Sequence, residues 1–129
     1  MPSRRSHVRI HASADRVWSM VRDPLDWAWF PELGVMTMDG DRRHVTLPSG
    51  LPIVEQIVNV DDTLRRFQYV IVDNFVISDH LSTIDVIDLE DGTCLVTYSL
   101  EITPDAMAII IGYATRRAIH NLRDLAEGN

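Results

Sequence analysis

Apolar and polar residues alternate with period two along most of this chain, and the period turns helical only near its two ends. Segments 35–38, 43–47, 53–60, 67–72, 80–89 and 94–102 each read as a strand. An earlier run, 7–11, sets Val8 and Ile10 on one face and gives a first strand. Turn-forming clusters separate the later strands: Asp39-Gly40-Asp41, Pro48-Ser49-Gly50, Asp61-Asp62 and Asp91-Gly92. Between the first and second strands Ser13 caps a helix whose inward face is Val17, Trp18, Met20 and Val21, and Asp23-Pro24 closes it. A second short helix or turn holds Leu25, Trp27, Trp29 and Phe30 before Pro31. Past Thr103-Pro104-Asp105 a long helix, 105–126, carries Met107, Ile110, Ile111, Ala114, Ala118, Leu122 and Leu125 as one wide apolar stripe. Consecutive hairpins followed by such a helix predict an α+β fold, one domain over 1–129, with the stripe laid on the concave face of a single antiparallel sheet.

Composition narrows the function. At 129 residues and 46% apolar content the chain buries one core and leaves no room for a separate cofactor domain. The net charge of -7, with arginine pairs scattered at 4/5, 42/43, 65/66 and 116/117, argues against nucleic acid as a partner. All twelve basic residues are arginine, which removes lysine-based Schiff-base chemistry. Cys94 is the only cysteine; it sits in a strand beside Leu95 and Val96, and it reads as a packed thiol in a reducing, cytoplasmic setting. The apolar run around Ile109, Ile110 and Ile111 falls far short of the roughly 20 residues that span a bilayer, so no membrane partner is expected. Among His7, His11, His44, His80 and His120 only His7 and His11 pair closely, on the expected solvent face of the first strand, and neither a nucleophilic triad nor a phosphate-cradling glycine loop is present, so the expected cofactor is none.

The order strand, two short helices, six strands, long helix resembles the START-like, SRPBCC or helix-grip superfamily, close to its polyketide cyclase/dehydrase branch. The likeness is carried by Ser13-Ala14-Asp15-Arg16-Val17-Trp18, Trp29-Phe30-Pro31, Leu47-Pro48-Ser49-Gly50, Val54-Glu55 with Asp61-Asp62, and Arg66-Phe67-Gln68-Tyr69. It continues through Asp91-Gly92-Thr93, Val96-Thr97-Tyr98 and Ile102-Thr103-Pro104, so it covers essentially the whole chain. The sequence departs from the family at Tyr98, where tryptophan is common, and at Ile77-Ser78-Asp79-His80, where proline-tyrosine is usual. The resemblance implies a helix-grip fold: a seven-stranded curved antiparallel sheet wrapped on the long C-terminal helix, with an internal pocket between them.

Strand parity then selects the pocket wall. Phe67, Tyr69 and Ile71 share one face of their strand, Val96, Tyr98, Leu100 and Ile102 another, and His80 and Ser82 lie with Ile84 and Val86. The partner of Glu55 depends on the hairpin at 48–50: a two-residue turn pairs it with His44, an odd-length turn with Arg43. The resemblance favours Glu55 inward with Ile53 and Ile57, and Arg43 inward with Val45 and Leu47. A carboxylate there is either a structural ion pair with Arg43 or an acid/base raised by burial. His80, with an ordinary pKa near 6.5, is the more attractive base, and Tyr69 and Tyr98 are the oxyanion donors. Trp27, Trp29 and Phe30 are expected as a lid, while Ile110, Tyr113 and Ala114 look in from the closing helix, with His120 on the face of Tyr113.

Two functions fit these positions. One is cofactor-free cyclisation, dehydration or related proton transfer on a polyketide-like or aromatic small molecule, with His80, Tyr98, Tyr69, Glu55 and Arg43 as its polar points. The other is a carrier that sequesters a hydrophobic small molecule unchanged. A weaker third is partner binding through exposed Trp27 and Trp29. A homodimer is open on this sequence.

Overall fold

A computed structural model describes residues 2–128. The elements run β1 (Ser3–Ile10), α1 (Ala14–Val21), a 3-10 turn (Pro31–Leu33), β2 (Val35–Asp39), β3 (Arg42–Thr46), β4 (Pro52–Asp61), β5 (Arg66–Val72), β6 (Asp79–Asp88), β7 (Cys94–Thr103) and α2 (Asp105–Ala126). All seven strands form one antiparallel sheet in the order β1-β7-β6-β5-β4-β3-β2, which leaves β1 and β2 as its edges. The expected sheet and closing helix are therefore both present. Of the second short helix or turn expected before Pro31, it is the turn that forms: 24–30 is a pair of turns, and a 3-10 turn follows from Pro31.

Local chemistry explains these boundaries. Ser13 caps α1 by accepting the Arg16 N–H at 3.1 Å. The indole N–H groups of Trp27 and Trp29 donate to the carbonyls of Val21 and Met20 at 2.9 and 3.0 Å, satisfying the end of α1 and tying the following segment back over it. Gly34, at φ +74°, lies so close to β3 that a Cβ would stand 2.2 Å from the Thr46 carbonyl oxygen. Only glycine fits there, so the 3-10 turn lies directly against the end of the sheet. A bulge between Ile57 and Asn59 breaks the β4–β5 register and bends the strand pair.

The core divides α2 in two. Its second half packs flush: Thr115, Ala118, Ile119, Leu122 and Ala126 are buried against the sheet and α1. Gly112 lets the helix close on β1, since a Cβ there would stand 3.1 Å from Arg4 Cγ. The first half touches the sheet at Ala108, buried with Leu100 and Ile102, and otherwise stands off. Met107, Ile111 and Ala114 are only partly buried and Ile110 is exposed. The single stripe expected from the sequence is therefore two stripes, one against the sheet and one facing a void.

Candidate functional site

That void is a cavity of about 270 Å³ between the first half of α2, strands β4 to β6 and the segment 30–33. Its wall is almost wholly apolar: Phe30, Leu33, Leu47, Leu51, Ile53, Ile71, Ile77, Met107, Ile110, Ile111 and Ala114. Glu32, Glu55, Tyr69 and His80 are its polar members. A larger hollow of about 420 Å³, lined by Arg4, Arg5, Thr83 and Glu101 among others, is an open depression on the outer face of the sheet. Enclosure and lining single out the smaller space.

Register settles the partner of Glu55. Leu47 and Leu51 close a three-residue turn at 48–50, so Arg43 stands opposite Glu55 and His44 opposite Val54. Arg43 Nε donates to Glu55 Oε1 at 2.7 Å, with side-chain exposures of 0% and 3%. Arg43 Nη1 donates to the Pro24 carbonyl at 2.8 Å, and the guanidinium carbon lies 4.1 Å from the centre of the Trp27 ring and 5.2 Å from that of Tyr69. Arg43 Nη2 is buried without a hydrogen-bond partner among the described residues. Burial pushes the Glu55 carboxyl above the usual carboxylate range, against the weaker pull of the Arg43 charge.

A second polar group lies beside it. The Tyr69 hydroxyl bonds that of Tyr98, and Ser82 stands directly across the β5–β6 pair from Tyr69. His80 Nδ1 accepts the Ile71 N–H at 3.0 Å, so the neutral ring carries its proton on Nε2, 2.7 Å from Ser82 Oγ. Burial lowers the His80 pKa to about 4 and raises that of Tyr69 to about 12; Tyr98 is raised as well, with burial again the largest cause. The expected neutral-pH base is thus a donor with no free lone pair. Rather than meeting a ligand as a base, His80 orients Ser82, which stands beside Tyr69 on the wall, with Tyr98 behind it.

This arrangement has a pH signature. Between pH 6.5 and about 4 the unfolded chain protonates its histidine while folded His80 does not, so stability from this group is complete above 6.5 and is lost as pH falls towards 4. The upper bound is ~3 kcal/mol. Glu55 acts with the opposite sign, because its raised folded pKa makes the folded chain the tighter proton binder above the ordinary carboxylate value. We expect the acid-side loss to shrink in His80→Gln relative to the parent, with ¹⁵N shifts reporting the Nε2–H tautomer down to pH 5. A ring that titrates near 6.5 would contradict the hydrogen-bond assignment.

Of the remaining expected site residues, Phe30, Ile71, Ile110 and Ala114 line the cavity. Tyr98, Arg43, Val45, Phe67, Ser82, Ile84, Val96 and Leu100 point inward as parity required, but they lie behind its wall as buried core. The reason is that Trp27 and Trp29 are plugs, not lids. At 2% and 1% exposure they fill the deep end of the sheet, with Trp29 and Phe30 edge-on to Tyr98. Their burial also removes the exposed-tryptophan docking surface. Tyr113 is 66% exposed and turns away from the cavity, as does His120. Leu47, Ile53, Met107 and Ile111 could have been added by extending the same parities and helical stripe; Glu32 and Leu33 carry no sequence signal, because their place depends on the Gly34 contact.

The description "polyketide cyclase / dehydrase and lipid transport" belongs to a family that matches residues 1–127. The chain belongs to this family. No curated protein matches the sequence. Among solved structures, the protein XoxI from Bacillus cereus superposes with a TM-score of 0.91 at 25% identity, covering 99% of this chain and 97% of that one. Norcoclaurine synthase from Thalictrum flavum, solved with dopamine and hydroxybenzaldehyde, gives 0.74 at 17% identity over 96% and 85%. A START superfamily protein from Mycobacterium smegmatis gives 0.77 at 13% over 97% of both. The last two establish a shared fold only. Family membership together with the apolar cavity supports binding of a hydrophobic ligand. No helix among the described residues is long and apolar enough to cross a membrane.

Proposed function

We propose that this chain binds a polyketide-like or aromatic carbonyl compound in the α2 cavity and promotes its cyclisation or dehydration by proton transfer. The observation that carries the reading is a buried carboxyl of raised pKa on the wall of an otherwise apolar cavity that also holds the Tyr69 hydroxyl. Glu55 removes a proton from the carbon between two carbonyls, and the electron pair moves onto the carbonyl oxygen. Tyr98 donates to Tyr69, leaving the Tyr69 proton free for that oxygen. The enolate carbon attacks a second carbonyl of the same chain and Glu55 returns its proton to the new alkoxide; for dehydration Glu55 then takes the remaining proton of the attacking carbon and passes it to that hydroxyl, which leaves as water as the C=C bond forms. Arg43 holds Glu55 in place and never meets the ligand.

The runner-up is a carrier, favoured by the ion pair that ties down one oxygen of Glu55 and by the scarcity of polar wall. A phenyl-bearing triketone incubated with the protein decides between them. The enzyme reading expects a cyclised or dehydrated product, by mass, faster than in buffer and slowed at least tenfold in Glu55→Gln with binding kept. Release of the triketone unchanged at the buffer rate establishes the carrier instead.

A further inference from the structure

Eight of the twelve arginines sit within ion-pair distance of a carboxylate, and Arg16 donates to the Ala126 carbonyl at 3.0 Å. Arg4, Arg5 and Arg116 form no ion pair among the described residues, and these three line one hollow of about 310 Å³ between β1 and the outer side of α2. Ile109 and Tyr113, 64% and 66% exposed, complete its wall. Arg4 and Arg5 point to opposite faces of β1, an edge strand of the sheet, so they straddle a border with no further strand beside it. Glu101 shares the outer face with Arg5 but lies beyond ion-pair distance. In a chain of net charge -7 this is a local reversal of sign.

We propose that the groove between β1 and α2 docks an acidic segment of a partner protein, its carboxylates on Arg4, Arg5 and Arg116 and its apolar side chains on Ile109 and Tyr113. Charge complementarity selects the partner. A nucleic acid or an anionic membrane presents an extended negative surface that the rest of this acidic molecule repels, whereas a peptide segment meets only the groove. The concave shape and the free strand edge suit a narrow extended chain better than a plane. The inference stands apart from the cavity chemistry, since none of these residues lines the ligand space.

The test uses a labelled peptide of mixed glutamate and leucine, the same peptide with lysine for glutamate, and phosphatidylglycerol vesicles. The acidic peptide should bind and weaken steeply with salt, and Arg116→Glu should cost it on the order of tenfold in affinity while cavity binding is unchanged. Because the Arg4 stem packs on Gly112, Arg4→Gln combined with Arg5→Gln serves as the milder second variant and should lose affinity in the same direction. Equal binding of the lysine peptide, no effect of either variant, or binding to vesicles in preference to the peptide would overturn the proposal.

Discussion

Arg43→Ala is expected to destabilise the protein by ~3–5 kcal/mol, because it leaves the buried Glu55 carboxylate with no other ion-pair partner among the described residues. The same change empties the space under Trp27 and frees the Pro24 carbonyl that anchors the turn after α1. Denaturant melts should show it as a lowered midpoint with an unchanged slope, and thermal melts as a shift on the order of 10 °C. Adding Glu55→Gln to Arg43→Ala should return a large part of the loss, since the orphaned charge is gone. Replacing the pair by methionine and leucine should come close to the parent, as buried ion pairs tend to break even against packed apolar residues. Strictly additive effects of the two single changes would show that the residues are not coupled.

The second large effect concerns ligand binding. Ala114 sits on the part of α2 that stands off from the sheet, and a large side chain there occupies the cavity without touching the flush half of the helix. Ala114→Val, Ala114→Leu and Ala114→Trp should lower affinity for a bicyclic aromatic ligand in that order, the last by about a hundredfold or more. Filling an existing void removes the surface the ligand would bury without exposing any of the core. Stability should hold or rise across the series, because added methylenes meet empty space and not packed atoms.

These two sites also show how far the sequence could be read. Period-two alternation found all seven strands, though β1 starts at Ser3 and not at His7, and parity put Phe67, Tyr69, Tyr98 and Leu100 on the inner face. It could not say how deep the inner face stays hollow. That depends on Trp27 and Trp29, whose indoles are drawn onto the carbonyls ending α1 and so fill the space they were expected to cover. The Arg43–Glu55 pair hung on one residue of turn length, and the three-residue turn at 48–50 decides it. The α2 stripe was legible as apolar, but composition does not distinguish Ala118 packed on the sheet from Ala114 facing a void. His80 was found by its strand position; its role changed because a backbone N–H from the neighbouring strand takes the nitrogen a base would need. Glu32 came from the 3-10 turn and left no pattern to read.

Calorimetric titration of a bicyclic aromatic alcohol into the parent and Ala114→Trp, at matched stability, tests most directly that α2 and the sheet enclose a ligand space. The parent should bind with a negative heat-capacity change from buried apolar surface, and the tryptophan variant should give no measurable heat. Equal affinity in both would place the ligand elsewhere and contradict the cavity.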